Sequence, residues 1–261
     1  MSDLHAKKSL GQNFLVNPGV VAKIVEAAEL TPEDTVLEVG PGTGNLTRAL
    51  VPTGARIIAV EKDHRAIEDL NAEFSAAQIE IIEGDILEFN PEKQGLIEGE
   101  YKIVANLPYY ITSHFIRTVF EEWPQPSDMI IMVQKEVAKR IMAAPPDMNL
   151  LALSVQYYAE PEIIMHVSRG SFRPIPDVDS SVVRLTPRTE YALSAEKEEL
   201  FFALIKAAFS GKRKQLLNTL PKVTGKNKGA LITALENADI NPQARPETLD
   251  IADWIRLLDT V

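Results

Sequence analysis

The chain has 261 residues, of which 45% are hydrophobic and 25% charged, with a net charge of −10 and no cysteine. That length suits one large α/β domain with a smaller companion, and the lack of thiols excludes both a disulfide framework and a thiolate metal site. Apolar runs of about strand length, broken by charges, exclude a membrane-spanning helix; the N-terminus lacks a signal-peptide apolar core, so the cytoplasm is the expected compartment.

In chain order, residues 20–30 read as an amphipathic helix closed by the turn Thr31-Pro32-Glu33-Asp34. β-rich runs follow at 35–39, 56–60, 79–82, 101–105 and 127–133, separated by helical stretches at 45–50, 65–74 and 113–122. This alternation predicts a parallel, doubly wound sheet that binds ligands at the C-terminal ends of its strands. Two later strand candidates, 153–158 and 181–185, flank a proline-rich loop and predict a closing antiparallel hairpin. Beyond Thr186-Pro187-Arg188 the pattern is helical only, at 196–210, 213–220, 228–238 and 251–259. The expected division is an α/β domain over 1–188 and a small all-helical domain over 189–261.

The strongest local signal is Val36-Leu37-Glu38-Val39-Gly40-Pro41-Gly42-Thr43-Gly44, a buried strand running into a glycine turn and then a helix. Glycines there let the backbone approach a ligand closely. Glu61 ends the next strand, where a carboxylate can accept both hydroxyls of a ribose; Asp85 ends the third, where one can accept from an adenine amino group. Adenosine is the implied ligand. The spacing G-x-G-x-G differs from the dinucleotide fingerprint G-x-G-x-x-G. Together with Asp85 and the loop Asn106-Leu107-Pro108-Tyr109 after the fourth strand, it selects S-adenosylmethionine over a dinucleotide.

That loop resembles the (Asn/Asp)-Pro-Pro-Tyr loop of amino-directed methyltransferases. An adenine amino nitrogen is a poor nucleophile because its lone pair is delocalised into the ring. Two fixed acceptors, the Asn106 side-chain oxygen and the Leu107 carbonyl, can bind its two N–H groups and turn the lone pair toward the methyl donor. Catalysis is then positioning and electrostatics, and no metal is needed. Pro108 stiffens the loop and Tyr109 can stack on the base. Phe172, on the loop Ser171-Phe172-Arg173-Pro174-Ile175-Pro176, is a candidate for the base's other face, against the plainer role of a core anchor.

Net negative charge is the wrong sign for a simple nucleic-acid binder, yet its distribution is uneven. Lys206, Lys212, Arg213, Lys214, Lys222, Lys226 and Lys228 follow one another with no Asp or Glu between them. The island reads either as a polyanion-docking face or as a solvated helix surface.

Lys8-Ser9-Leu10-Gly11-Gln12-Asn13-Phe14-Leu15, residues 38–46 and 106–111, and Phe172-x-Pro-x-Pro-x-Val178-Asp179-Ser180 resemble, in order, the signature blocks of the KsgA-type small-subunit rRNA adenine dimethyltransferases. Ala207-Ala208-Phe209-Ser210-x-x-Arg213-Lys214 and Arg245-Pro246-Glu247-Thr248-Leu249 extend the likeness to the tail. The resemblance implies a Rossmann-like class I S-adenosylmethionine-dependent methyltransferase domain with a small all-helical C-terminal domain. It implies that Asn13 and Leu15 line the cofactor, with Gly40 at its amino-acid portion, Glu61 at the ribose, Asp85 at the adenine, and Asn106 beside both cofactor and acceptor. It further implies two adjacent adenosines in a hairpin loop near the 3′ end of small-subunit (16S) rRNA as substrate, each receiving two methyls. The subunit would be pre-assembled, the enzyme a monomer with a part in small-subunit biogenesis, and Lys212, Arg213 and Lys214 its contacts to the RNA backbone. Tyr110 stands where relatives often carry Asn, and Asp177 where they usually carry Lys. Three alternatives stand beside this reading: a resistance-type methylase of large-subunit rRNA, an assembly-checkpoint binder, and a small-molecule methyltransferase.

Overall fold

A computed structural model describes Lys7, residues 11–211 and residues 213–261. Two compact units emerge: one combines the chain up to Ala138 with Glu160–Pro187, the other combines Lys139–Ala159 with Arg188–Val261. The break after Pro187 adjoins the expected boundary at 188. Residues 139–159, however, group with the C-terminal helices rather than with the sheet.

The first unit begins with β1 (Phe14–Leu15) and α1 (Pro18–Ala28). Asn17 caps that helix by accepting the Gly19 and Val20 N–H groups, and Pro18 takes the first helical position, where a missing N–H costs nothing. Then come β2 (Thr35–Val39), α2 (Thr47–Leu50), β3 (Arg56–Glu61), α3 (His64–Glu73), β4 (Glu80–Glu83), β5 (Tyr101–Asn106), α4 (Thr112–Glu122), β6 (Asp128–Gln134) and α5 (Lys135–Ile141). The five expected strands and the helices between them are all present.

The chain continues through α6 (Leu150–Tyr158), β7 (Ala159–Val167), β8 (Phe172–Arg173) and β9 (Ser180–Pro187). Seven strands form one sheet in the order β4-β3-β2-β5-β6-β9-β7. Its first five members are parallel, and β9 runs antiparallel to β6. After β2 the chain builds outward through β3 and β4, then returns to place β5 on the other side of β2. This reversal opens a crevice beyond the C-terminal ends of those strands. Strands covered on both faces are mostly apolar, and Val36, Leu37, Ile57, Ile58, Ile103, Val104, Ile130 and Ile131 are all buried.

Residues 153–158, expected as a strand, lie in α6 instead. Asn149 accepts the Ala152 N–H and starts a helix, and the aromatic residues that favour a strand locally are buried by helix packing. The sheet strand begins directly after it, as β7.

The second unit adds α7 (Ala195–Phe209), α8 (Leu216–Thr219), α9 (Pro221–Thr224), α10 (Lys228–Asn237) and α11 (Ile251–Leu258). Tyr157 stacks on Phe201 and Tyr158 on Phe202, so α6 and α7 share an aromatic core. A helix was expected from 213, but Arg213 takes a left-handed φ of 68° and the helix starts only at Leu216. Among the described residues no helix is long and apolar enough to cross a membrane.

β1 pairs antiparallel with β8, Leu15 opposite Phe172. Phe172 is fully buried in the core with Leu15, Val20, Val21 and Val182. It therefore anchors β1 in the core, the plainer of the two roles expected for it, and its ring is enclosed there in this structure. We predict that Phe172→Ala lowers stability by about 3–5 kcal/mol through the cavity it leaves. Urea denaturation checks this, and a variant of unchanged stability would contradict the core assignment.

Candidate active site

The cleft forms where β2, β3, β4 and β5 end. Gly40 and Gly42 take left-handed φ values of 64° and 55°, which side chains other than glycine rarely adopt. A Cβ on Gly42 would also lie 2.9 Å from the Phe14 ring, whereas one on Gly40 would meet nothing within 4 Å. The first glycine therefore keeps a wall of the cleft bare, and the second lets the N-terminal segment pack down. Glu61 holds the turn in place: its Oε2 accepts the Gly42 N–H at 3.0 Å, and its Oε1 accepts the N–H groups of Lys62 and Asp63, each at 2.8 Å.

Residues 11–14 strap across this corner. Gln12 Nε2 donates to Asp63 Oδ2 at 3.0 Å, and Lys7 Nζ lies 3.3 Å from Asp63 Oδ1. Arg65, the strongest influence on Asp63, adds its own ion pair at 2.7 Å. These donors outweigh burial and hold the Asp63 carboxyl far below the usual range. A side chain on Gly11 would lie 3.1 Å from the Tyr110 ring, so the strap also touches the loop after β5.

On that loop the Asn106 amide nitrogen donates to the Asn13 carbonyl at 3.3 Å. The amide is thereby oriented, leaving Oδ1 as its acceptor end. The Pro108 carbonyl accepts from the Ile111 N–H at 3.2 Å and from the Thr112 hydroxyl at 3.3 Å, turning the loop into α4. The Tyr109 hydroxyl pairs with Ser180 Oγ at 2.8 Å; burial raises its pKa and keeps the phenol protonated. At the end of β4, Asp85 Oδ1 accepts the Leu87 N–H at 3.0 Å and Oδ2 receives Lys62 Nζ at 2.6 Å. The Lys62 bond, ahead of the opposing effect of burial, lowers the Asp85 pKa.

Asn13, Gly40, Glu61, Asp85, Asn106, Leu107, Pro108 and Tyr109 all line one cleft of about 760 Å³, its open mouth included. Leu15 lines a smaller recess beside it, with Glu38, Thr43, Asn45 and Asn106. Arg213 and Lys214 are exposed in the second unit, and Lys212 lies outside the described residues. Sequence reasoning missed Lys62, Gln12 and Asp63 as members of the site, although Lys62 and Asp63 directly follow the acid it singled out. It also missed Glu38 as more than part of a motif. That carboxyl is fully buried, accepting from Thr47 Oγ1 at 2.8 Å through Oε2, while Oε1 has no partner.

A mostly parallel sheet with a glycine turn after β2, acids ending β3 and β4, and an Asn-x-Pro-Tyr loop after β5 make this a class I methyltransferase fold. The match to solved structures agrees: a dimethyladenosine transferase from Plasmodium falciparum superposes with a TM-score of 0.79 at 29% identity, covering 94% of this chain and 95% of that one. The 23S rRNA methyltransferase ErmE superposes with a TM-score of 0.77 at 28% identity, covering 95% and 99%. The ribosomal RNA adenine dimethylase family model matches residues 3–259. The ribosomal RNA small subunit methyltransferase A of Dehalococcoides mccartyi is 43% identical over 97% of this chain and 88% of its own length. The chain belongs to the ribosomal RNA adenine dimethylase family, and is an rRNA adenine dimethyltransferase.

Burial, reinforced by the Glu61 charge and only partly offset by Thr47, raises the Glu38 pKa to about 8. The folded state thus holds a proton that the unfolded chain releases near 4.5. The resulting stability is complete below that value and is lost as pH rises toward 8. We predict that between pH 6 and 8 the wild type loses about 2–3 kcal/mol relative to Glu38→Gln, which cannot ionise. Parallel pH profiles from chemical denaturation check this; coincident profiles would show that Glu38 does not titrate in that window.

Proposed function

We propose that the cleft binds S-adenosylmethionine and that the protein dimethylates N6 of two adjacent adenosines in a hairpin loop near the 3′ end of small-subunit rRNA, within a pre-assembled subunit. The observation that carries this reading is the orientation of Asn106: its nitrogen is spent on Asn13, so its oxygen is the end left to accept an amino N–H.

The residues present fit the cofactor. Glu61 offers a ribose hydroxyl the one carboxylate lone pair, on Oε2, not used by the three backbone N–H groups, and Asp85 can accept from the adenine amino group. The bare wall at Gly40 admits the amino-acid portion, and Glu38 lines the adjoining recess. When bound, the cofactor supplies a methyl group already activated on a positively charged sulfur. The chain's own work is to hold the target base. Asn106 Oδ1 and the Leu107 carbonyl accept its two N–H groups, so that the nitrogen lone pair is withdrawn from the ring and aimed at the methyl. Tyr109, anchored through Ser180, supports the base by stacking.

Two near-equal superpositions, on a dimethyladenosine transferase and on a 23S enzyme, leave the choice of ribosomal subunit to the sequence. The 43% identity to a small-subunit methyltransferase favours the small subunit, as do the Phe209-Ser210-x-x-Arg213-Lys214 and Arg245-Pro246-Glu247 blocks. The second unit's run of seven cations is the matching contact to phosphates.

Labelled methyl transfer to small subunits from cells lacking such an enzyme, followed by nucleoside analysis, tests the assignment. N6,N6-dimethyladenosine should appear in small-subunit and not large-subunit rRNA. Asn106→Ala should reduce transfer at least a hundredfold while cofactor binding is largely kept; normal turnover by this variant would overturn the role of the loop. Replacing Lys212, Arg213 and Lys214 with Gln should weaken RNA binding and reduce the slope of log affinity against log salt by about 2–3, because fewer counterions are released. An unchanged slope would assign the phosphate contacts to other residues.

A further inference from the structure

Lys62 has no part in the reading above, yet it lines the cleft immediately after Glu61 and pairs with Asp85 Oδ2 at 2.6 Å. The other Asp85 oxygen is held by the Leu87 N–H, so Oδ2 is the oxygen best placed for a ligand, and an ammonium sits on it. The lysine side chain is about half exposed and the aspartate about a quarter exposed, so the pair is a weak surface one, able to open. A purine amino group and this ammonium are both donors, and they compete for the same acceptor.

We propose that Lys62 sets purine specificity at the adenine subsite: its ammonium competes with a 6-amino group for Asp85 Oδ2, and donates instead to a 6-keto group. This rests on the reading that Asp85 receives the adenine. A 6-keto purine presents an acceptor where adenine presents a donor. Asp85 alone would repel that oxygen, whereas the neighbouring ammonium matches it. Lys62 therefore weakens binding of the amino purine and softens the penalty on the keto purine. Removing the ammonium sharpens discrimination in both directions.

Calorimetric titration of S-adenosylhomocysteine and S-inosylhomocysteine into the wild type, Lys62→Met and Lys62→Gln tests the proposal without any turnover. Lys62→Met should bind the adenosyl ligand about two- to fivefold more tightly, the size expected when an exposed competing ion pair is removed. It should bind the inosyl ligand more weakly, widening the ratio about tenfold, and Lys62→Gln should move the ratio in the same direction. If Lys62→Met binds the adenosyl ligand equally or more weakly, the proposal is overturned and Lys62 is a support for the purine. Failure of the wild type to bind S-adenosylhomocysteine would instead overturn the cofactor site itself.

Discussion

One carboxylate organises the cofactor end of this molecule. Glu61 terminates β3 and takes three backbone N–H groups, one from the glycine turn that follows β2 and two from its own strand end. Those N–H groups would otherwise be unpaired at the edge of a buried sheet, an expensive condition. A neutral side chain of the same size could not satisfy all three as well, because hydrogen bonds to an ionised acceptor are the stronger kind. With the turn held, Gly42 lies flat enough for Phe14 to pack over it, and residues 11–14 can reach the loop after β5.

From this constraint the catalytic geometry follows by a short chain of contacts. The strap is tied to Asp63 through Gln12 and Lys7, and its Asn13 carbonyl orients the Asn106 amide. Leu15 then pairs with Phe172, whose buried ring fixes the strap's far end in the core. Phe172 thus serves the site by anchoring what covers it. The alternatives weighed from the sequence divide accordingly. Family membership settles that the chain is an rRNA adenine dimethyltransferase, which sets aside a small-molecule enzyme.

The site is also electrostatically uneven in a way that motif reading overlooks. Within one corner Asp63 is held ionised by three donors, Asp85 is ionised by Lys62, and Glu38, with a partner on one oxygen alone, retains its proton near neutrality. Three acids in similar sequence positions differ because burial opposes ionisation in each case and the supply of donors differs.

Much was legible in the sequence because it is local. Strand-length apolar runs followed by Gly40, Glu61, Asp85 and Asn106 determined the parallel sheet and placed four candidate site positions at strand ends, since strands covered on both faces are mostly apolar and ligands bind beyond their C-terminal ends. The helices of the tail were equally visible from the change of period, whereas the grouping of residues 139–159 with them was not. What only the tertiary structure decided is non-local. Residues 153–158 read as a strand by composition but form a helix, because the aromatic packing that buries them is made with α7, about forty residues away. The fate of Phe172 depends on a two-residue strand pair with β1, a contact no periodicity announces. The Asn106 orientation and the Lys62–Asp85 pair likewise join segments distant in sequence, and hydrogen bonds of that kind are set by where the chain folds back, not by which residues adjoin.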